Sequence, residues 1–70
     1  MDFRKVIDSL ESQQDKDILN MAHEQILRYL ETDEEEDLDL FCDIAESMGH
    51  LLTDRASPIL YRMVEVYINS

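Results

Sequence analysis

The amino-acid sequence predicts an all-α protein, a small bundle of three to four helices forming one acidic domain over residues 1–70. Three observations carry that expectation. Apolar residues recur at i, i+3, i+4 and i+7, the spacing of a single helical face. One glycine and one proline in 70 residues are too few turn formers for a turn-dense all-β chain. Ser, Thr or Asp stands where each apolar stripe begins, as helix N-caps do.

The first stripe is Phe3, Val6, Ile7 and Leu10, with Asp2 ahead of it as an N-cap, and predicts a helix over 2–11. It cannot continue in phase, because Gln14 and Asp17 fall where the next apolar residues belong. Ser12, with Asp15 three residues on, offers a restart of capping-box type. A second helix over 13–31 follows, with Ile18, Leu19, Ala22, Ile26, Tyr29 and Leu30 on one face. The two stripes differ in direction by roughly 120° on a uniform helix, so a break near Ser12 is expected.

The next boundary is Thr32-Asp33-Glu34-Glu35-Glu36. Either Thr32 with Glu35 or Asp33 with Glu36 makes a capping box, and acids here suit the positive end of a helix dipole. A third helix is expected over 34–52, on Leu38, Phe41, Cys42, Ala45, Met48, Gly49 and Leu52, widened by Leu40, Ile44 and Leu51. Leu52 keeps the phase, so the helix should run through Gly49. Cys42 reads as a small core residue, and Met21, Met48 and Met63 as core gap-fillers.

Ser57-Pro58 opens the last element, over 58–68, with Ser as N-cap and Pro at the first helical position. The run Ile59–Ile68 is rich in β-branched and aromatic residues, which makes a strand the rival assignment. The Ser-Pro start and the lack of period-two polarity favour helix. Only Arg62 and Glu65 are clearly polar, so the apolar arc covers roughly 220°, against ~100° for an ordinary surface helix. Such a helix could lie at the centre of the bundle, between the second and third. The alternative is self-association through Tyr61, Val64, Tyr67 and Ile68. A homodimer is the expectation, since small bundles often gain core that way.

The charge is one-sided: 17 Asp and Glu against 6 Lys and Arg, a formal net of −11. Nucleic acid and anionic membranes are poor direct partners for such a chain. Between Tyr29 and Asp54, with Asp54 included, stand ten acids and no Lys or Arg. On a uniform third helix Glu35, Glu36, Asp39, Asp43 and Glu46 fall within an arc of about 100°, opposite the apolar stripe. Glu35 to Glu46 spans about 16 Å. That is one charge per ~3 Å, near the ~3.4 Å per phosphate of one DNA strand. Like charges at i, i+4 oppose helix formation, so helix stability alone does not select the ridge. His50 extends it by one turn and would make its charge pH-sensitive.

Other chemistry finds no support. An EF-hand loop read from Asp33 has Leu38 where glycine is needed and Ile44 where glutamate should close the site. His23, Cys42 and His50 lack the spacing of a zinc site, and His23-Glu24 does not begin an HExxH motif. His23 borders Leu27 and Leu30 and reads as packing. No metal, cofactor or catalytic residue is expected, and the chain is not read as an enzyme. A lone cysteine and the absence of a signal-peptide or membrane-spanning stretch point to a cytoplasmic protein. In charge and size the chain is similar to the immunity proteins of DNase colicins. Their Tyr-Tyr-Pro motif has no counterpart in Ser57-Pro58-Ile59-Leu60-Tyr61-Arg62.

The functional expectation is a protein-binding inhibitor or regulator that offers Glu35, Glu36, Asp39, Asp43, Glu46 and His50 to a basic, nucleic-acid-binding partner protein. Nucleic-acid mimicry and phage or mobile-element counter-defence are activities of this kind. The alternative is a homodimeric structural or assembly adaptor whose acids only keep it soluble.

Overall fold

The computed structural model describes residues 2–69 and is an all-α bundle of four short helices. They are α1 (Phe3–Asp8), α2 (Gln13–Thr32), α3 (Glu35–Met48) and α4 (Ser57–Tyr67), with a 3-10 turn at Gly49–Leu51. The core joins Phe3 and Ile7 of α1, Leu19, Ala22 and Ile26 of α2, Phe41 of α3, and Ala56, Leu60 and Met63 in and before α4.

Helix α1 starts at the expected cap, where the Asp2 carboxylate accepts from the backbone N–H groups of Arg4 and Lys5 at 3.1 and 3.4 Å. It stops three residues short of the expected end. The Ser9 hydroxyl donates to the Val6 carbonyl at 2.6 Å, a local bond that competes with helix continuation. Leu10 therefore packs on the core from a turn rather than from the helix. The chain breaks over residues 9–12, and α2 restarts with Ser12 Oγ accepting from the Asp15 N–H at 3.3 Å.

The reciprocal half of that capping box does not form. The Asp15 carboxylate turns inward, 2% exposed, and accepts from the Thr53 N–H at 3.1 Å and the Thr53 hydroxyl at 2.6 Å. A buried charge needs such donors, because desolvating it without them costs several kcal/mol. Asp15 lies three and four residues before Ile18 and Leu19, so it occupies the buried face of α2 as a polar member of the same stripe.

Neither capping box expected near Thr32 forms. Helix α2 runs through Thr32, and Asp33 closes it in the left-handed region at φ 56°. Asp is among the few non-glycine residues that tolerate this conformation. Its N–H donates to the Tyr29 carbonyl at 2.8 Å. Glu34 takes the N-cap place of α3 without a side-chain bond. The corner is held instead by Asp37, whose carboxylate accepts from the Thr32 hydroxyl and from Gln25 Nε2. The Asp37 carbonyl accepts a second bond from the same Gln25 nitrogen, at 2.9 Å.

At its other end α3 is shorter than expected, because Gly49–Leu51 tightens into the 3-10 turn. The segment then forms a turn in which the Thr53 carbonyl accepts from the N–H groups of Ala56 and Ser57. This turn launches α4, so Ala56 rather than Ser57 is at the cap, and Ser57 and Pro58 lie in the first turn. The strand alternative is excluded.

The central helix is α2, which packs against α1, α3 and α4; α4 does not occupy that place. Helix α3 leans mainly on α2, so Phe41 is its one fully covered side chain among the described residues. Cys42, read as core, is exposed. It lies about 20° from Glu35 on a uniform helix, at the edge of the apolar arc and beside the acids. Leu40 of α3 and Leu51 of the 3-10 turn are also exposed, as are Met21 and Leu30 on the outer side of α2, whereas Met63 is fully buried and Met48 half-buried.

Replacing Asp15 by Ala should destabilise the fold by about 1–3 kcal/mol, since it removes both hydrogen bonds that tie the first turn of α2 to the turn before α4. Urea unfolding followed by circular dichroism checks this. Thr53→Val should cause a loss of similar size, because it leaves the buried carboxylate with one donor.

Candidate functional site

The acidic ridge rests on α3, whose continuity from Glu35 to Met48 keeps one angular phase along the helix. Glu35, Glu36, Asp39, Asp43 and Glu46 are all exposed. The one ion pair among the described residues joins Arg62 Nη1 to Glu65 at 3.1 Å, on α4. None of the five ridge carboxylates takes part in an ion pair among the described residues. Asp37, about 100° away from the ridge on the same helix, has the different task of bonding the α2–α3 corner.

His50 does not continue the helical phase, because it sits in the 3-10 turn. It remains exposed and borders, with Glu46, a groove between the end of α3 and α4. Asp54, Tyr61 and Val64 line the same groove. The fold thus brings the C-terminal end of the ridge beside half of the side chains expected to mediate dimerisation.

Val64, Tyr67 and Ile68 all pack on the core of their own chain. The Tyr67 hydroxyl lies 3.0 Å from His23 Nε2, and both rings flank Phe3, with ring centres 5.4 and 5.7 Å from it. This three-ring cluster ties α1, α2 and α4 together. His23, 6% exposed, belongs to the buried stripe of α2, four residues after Leu19 and three before Ile26. Burial, and then the Arg4 guanidinium, hold its imidazole below the ordinary histidine value, against the opposing pull of Asp2 and Glu24.

Among the described residues no group of three or more His, Cys, Asp or Glu is arranged to hold a metal ion, and no helix is long and apolar enough to cross a membrane. No buried side-chain nitrogen or oxygen among them lacks a hydrogen-bond partner. The residues missed in the sequence are Asp15, Thr53, Gln25 and Asp37, all polar groups bonded across elements. Helical phase alone could have flagged Asp15; the others carry no local signal. Compared with protein-family models, curated proteins and solved structures, the chain matches none.

The His23 environment sets the sign of a pH dependence. The imidazole binds its proton less tightly in the folded protein than in the unfolded chain, where the value is near 6.5. Its contribution is complete above that value and is lost as pH falls through the lower, folded value. Stability should therefore drop as pH is lowered from 7, before most carboxylates titrate. His23→Gln should flatten this part of the profile, as measured by thermal unfolding across the range.

Proposed function

We propose that the protein is a non-enzymatic inhibitor or regulator that presents the acidic face of α3 to a basic, nucleic-acid-binding partner protein. One observation carries the reading: five exposed carboxylates follow a single face of one continuous helix, with no cation of the described residues paired to them. A carboxylate row with nearly the charge spacing of a nucleic-acid strand is complementary to a surface built for phosphates. Electrostatic complementarity of this kind raises association rates and selects partners by sign. Nucleic-acid mimicry is the narrower form of the reading, and phage or mobile-element counter-defence is a setting that suits it. Action on a cytoplasmic partner belongs to the same proposal.

A second reading is a homodimeric structural adaptor with a merely solubilising ridge. Tyr61 favours it, being 67% exposed on a helix whose other faces are largely covered. With Val64, Tyr67 and Ile68 packed on their own core, Tyr61 is the member of the expected contact that stands open. Sedimentation equilibrium distinguishes a monomer from a dimer.

Changing Glu35, Asp39, Asp43 and Glu46 to Lys tests the first reading. Binding to candidate basic nucleic-acid-binding proteins should weaken by at least about tenfold at low salt, and its salt dependence should shrink. Circular dichroism would show that the helices persist. Unchanged affinity at both low and high salt would remove the proposal.

A further inference from the structure

The groove between the end of α3 and α4 has a volume of about 490 Å³ and combines two kinds of surface. Its apolar lining comes from Ala45, Leu52, Leu60 and Val64, with the exposed Tyr61 ring beside them. Glu46 and Asp54 supply carboxylates, His50 stands with them, and no lysine or arginine lines the groove. It opens because α3 leans on α2 and leaves α4 uncovered on that side.

We infer that this groove is the specificity pocket of the acidic face and receives an arginine-bearing, amphipathic helical segment of the basic partner. The inference rests on the ridge reading above and names the part of the partner that it engages. Charge complementarity selects the occupant. A second copy of this chain, itself at −11, would bring net negative charge toward Glu46 and Asp54. A polyanion would meet the same repulsion. An arginine satisfies each element of the site: its aliphatic stem covers apolar wall, its planar head stacks on an aromatic face, and its fork matches a carboxylate. Flanking apolar residues of the segment would fill the floor. The ridge draws many cationic surfaces, whereas the groove distinguishes among them by shape. Aromatic side chains in such a setting are frequent binding hot spots.

Gly49 provides a way to narrow the groove. Its φ is −57°, which any residue adopts, and beyond its chain neighbours an added Cβ would meet only Leu60 Cδ2, at 3.8 Å. Gly49→Leu should narrow the groove, and circular dichroism with the dispersion of the amide spectrum checks that the bundle persists.

The experiment uses the full chain, isotope-labelled for amide NMR. One synthetic helical peptide carries arginines on one face and leucines on the other; a control has each leucine replaced by glutamine. The first peptide should shift the amides of Gly49, Leu52, Tyr61 and Val64 most strongly and should bind more tightly than the control. Tyr61→Ser and Gly49→Leu should each weaken it about tenfold or more and leave the control unaffected. Equal affinity of the two peptides, or wild-type affinity in both variants, overturns the inference. A dimer in sedimentation equilibrium that Gly49→Leu dissociates also overturns it, since a second copy is then the occupant. The two readings fail separately. If reversal of Glu35 and Asp39 weakens both peptides while the groove variants do not, the groove inference falls and the ridge stands. If that reversal changes nothing, the ridge reading falls.

Discussion

A carboxylate buried between the first turn of α2 and the loop before α4 governs how this chain closes. Asp15 receives both of its long-range bonds from Thr53, 38 residues away, and these bonds locate the turn from which α4 departs. From that point Leu60 and Met63 enter the core, and Tyr67 reaches His23 and Phe3. In a domain this small, apolar burial alone leaves little margin, and one satisfied buried charge weighs heavily. It also imposes a register that apolar contacts, being non-directional, do not impose.

The same architecture accounts for the separation of charge. Helix α2 takes the central position and gives its buried face to the other three helices. Helix α3 then rests mainly on one neighbour, anchored by Phe41 with Ile44 and Ala45 half-buried beside the core, and its opposite face is open to water. An outward row of carboxylates costs little in that position because each stays hydrated. The same one-sided packing leaves Leu40 and Leu51 exposed and opens the groove beside Tyr61.

Helical periodicity and cap chemistry made the four helices legible, because both act within a few residues of chain. Asp2 and Ser12 cap as their positions imply, and the break between the first two stripes falls where their phases part. The errors share a cause in contacts between distant segments. Asp15 looks like a capping partner of Ser12 until Thr53 is placed beside it. Cys42 looks like core until α3 proves to have only one principal neighbour. The breadth of the apolar arc on α4 is used in part within the chain, where Val64, Tyr67 and Ile68 pack on the core. Of the candidate site, the exposure of Glu35, Glu36, Asp39, Asp43 and Glu46 on a single helix was legible, because it needs only one element and one phase. The groove was not, because it is made by two helices and the turn that joins them.

The direction in which α3 runs adds one consequence. Its backbone partial charges are positive near Glu35 and Glu36 and negative near Glu46. Glu35 and Glu36 thus stand at the favourable end of the helix and Glu46, in its last turn, at the unfavourable one.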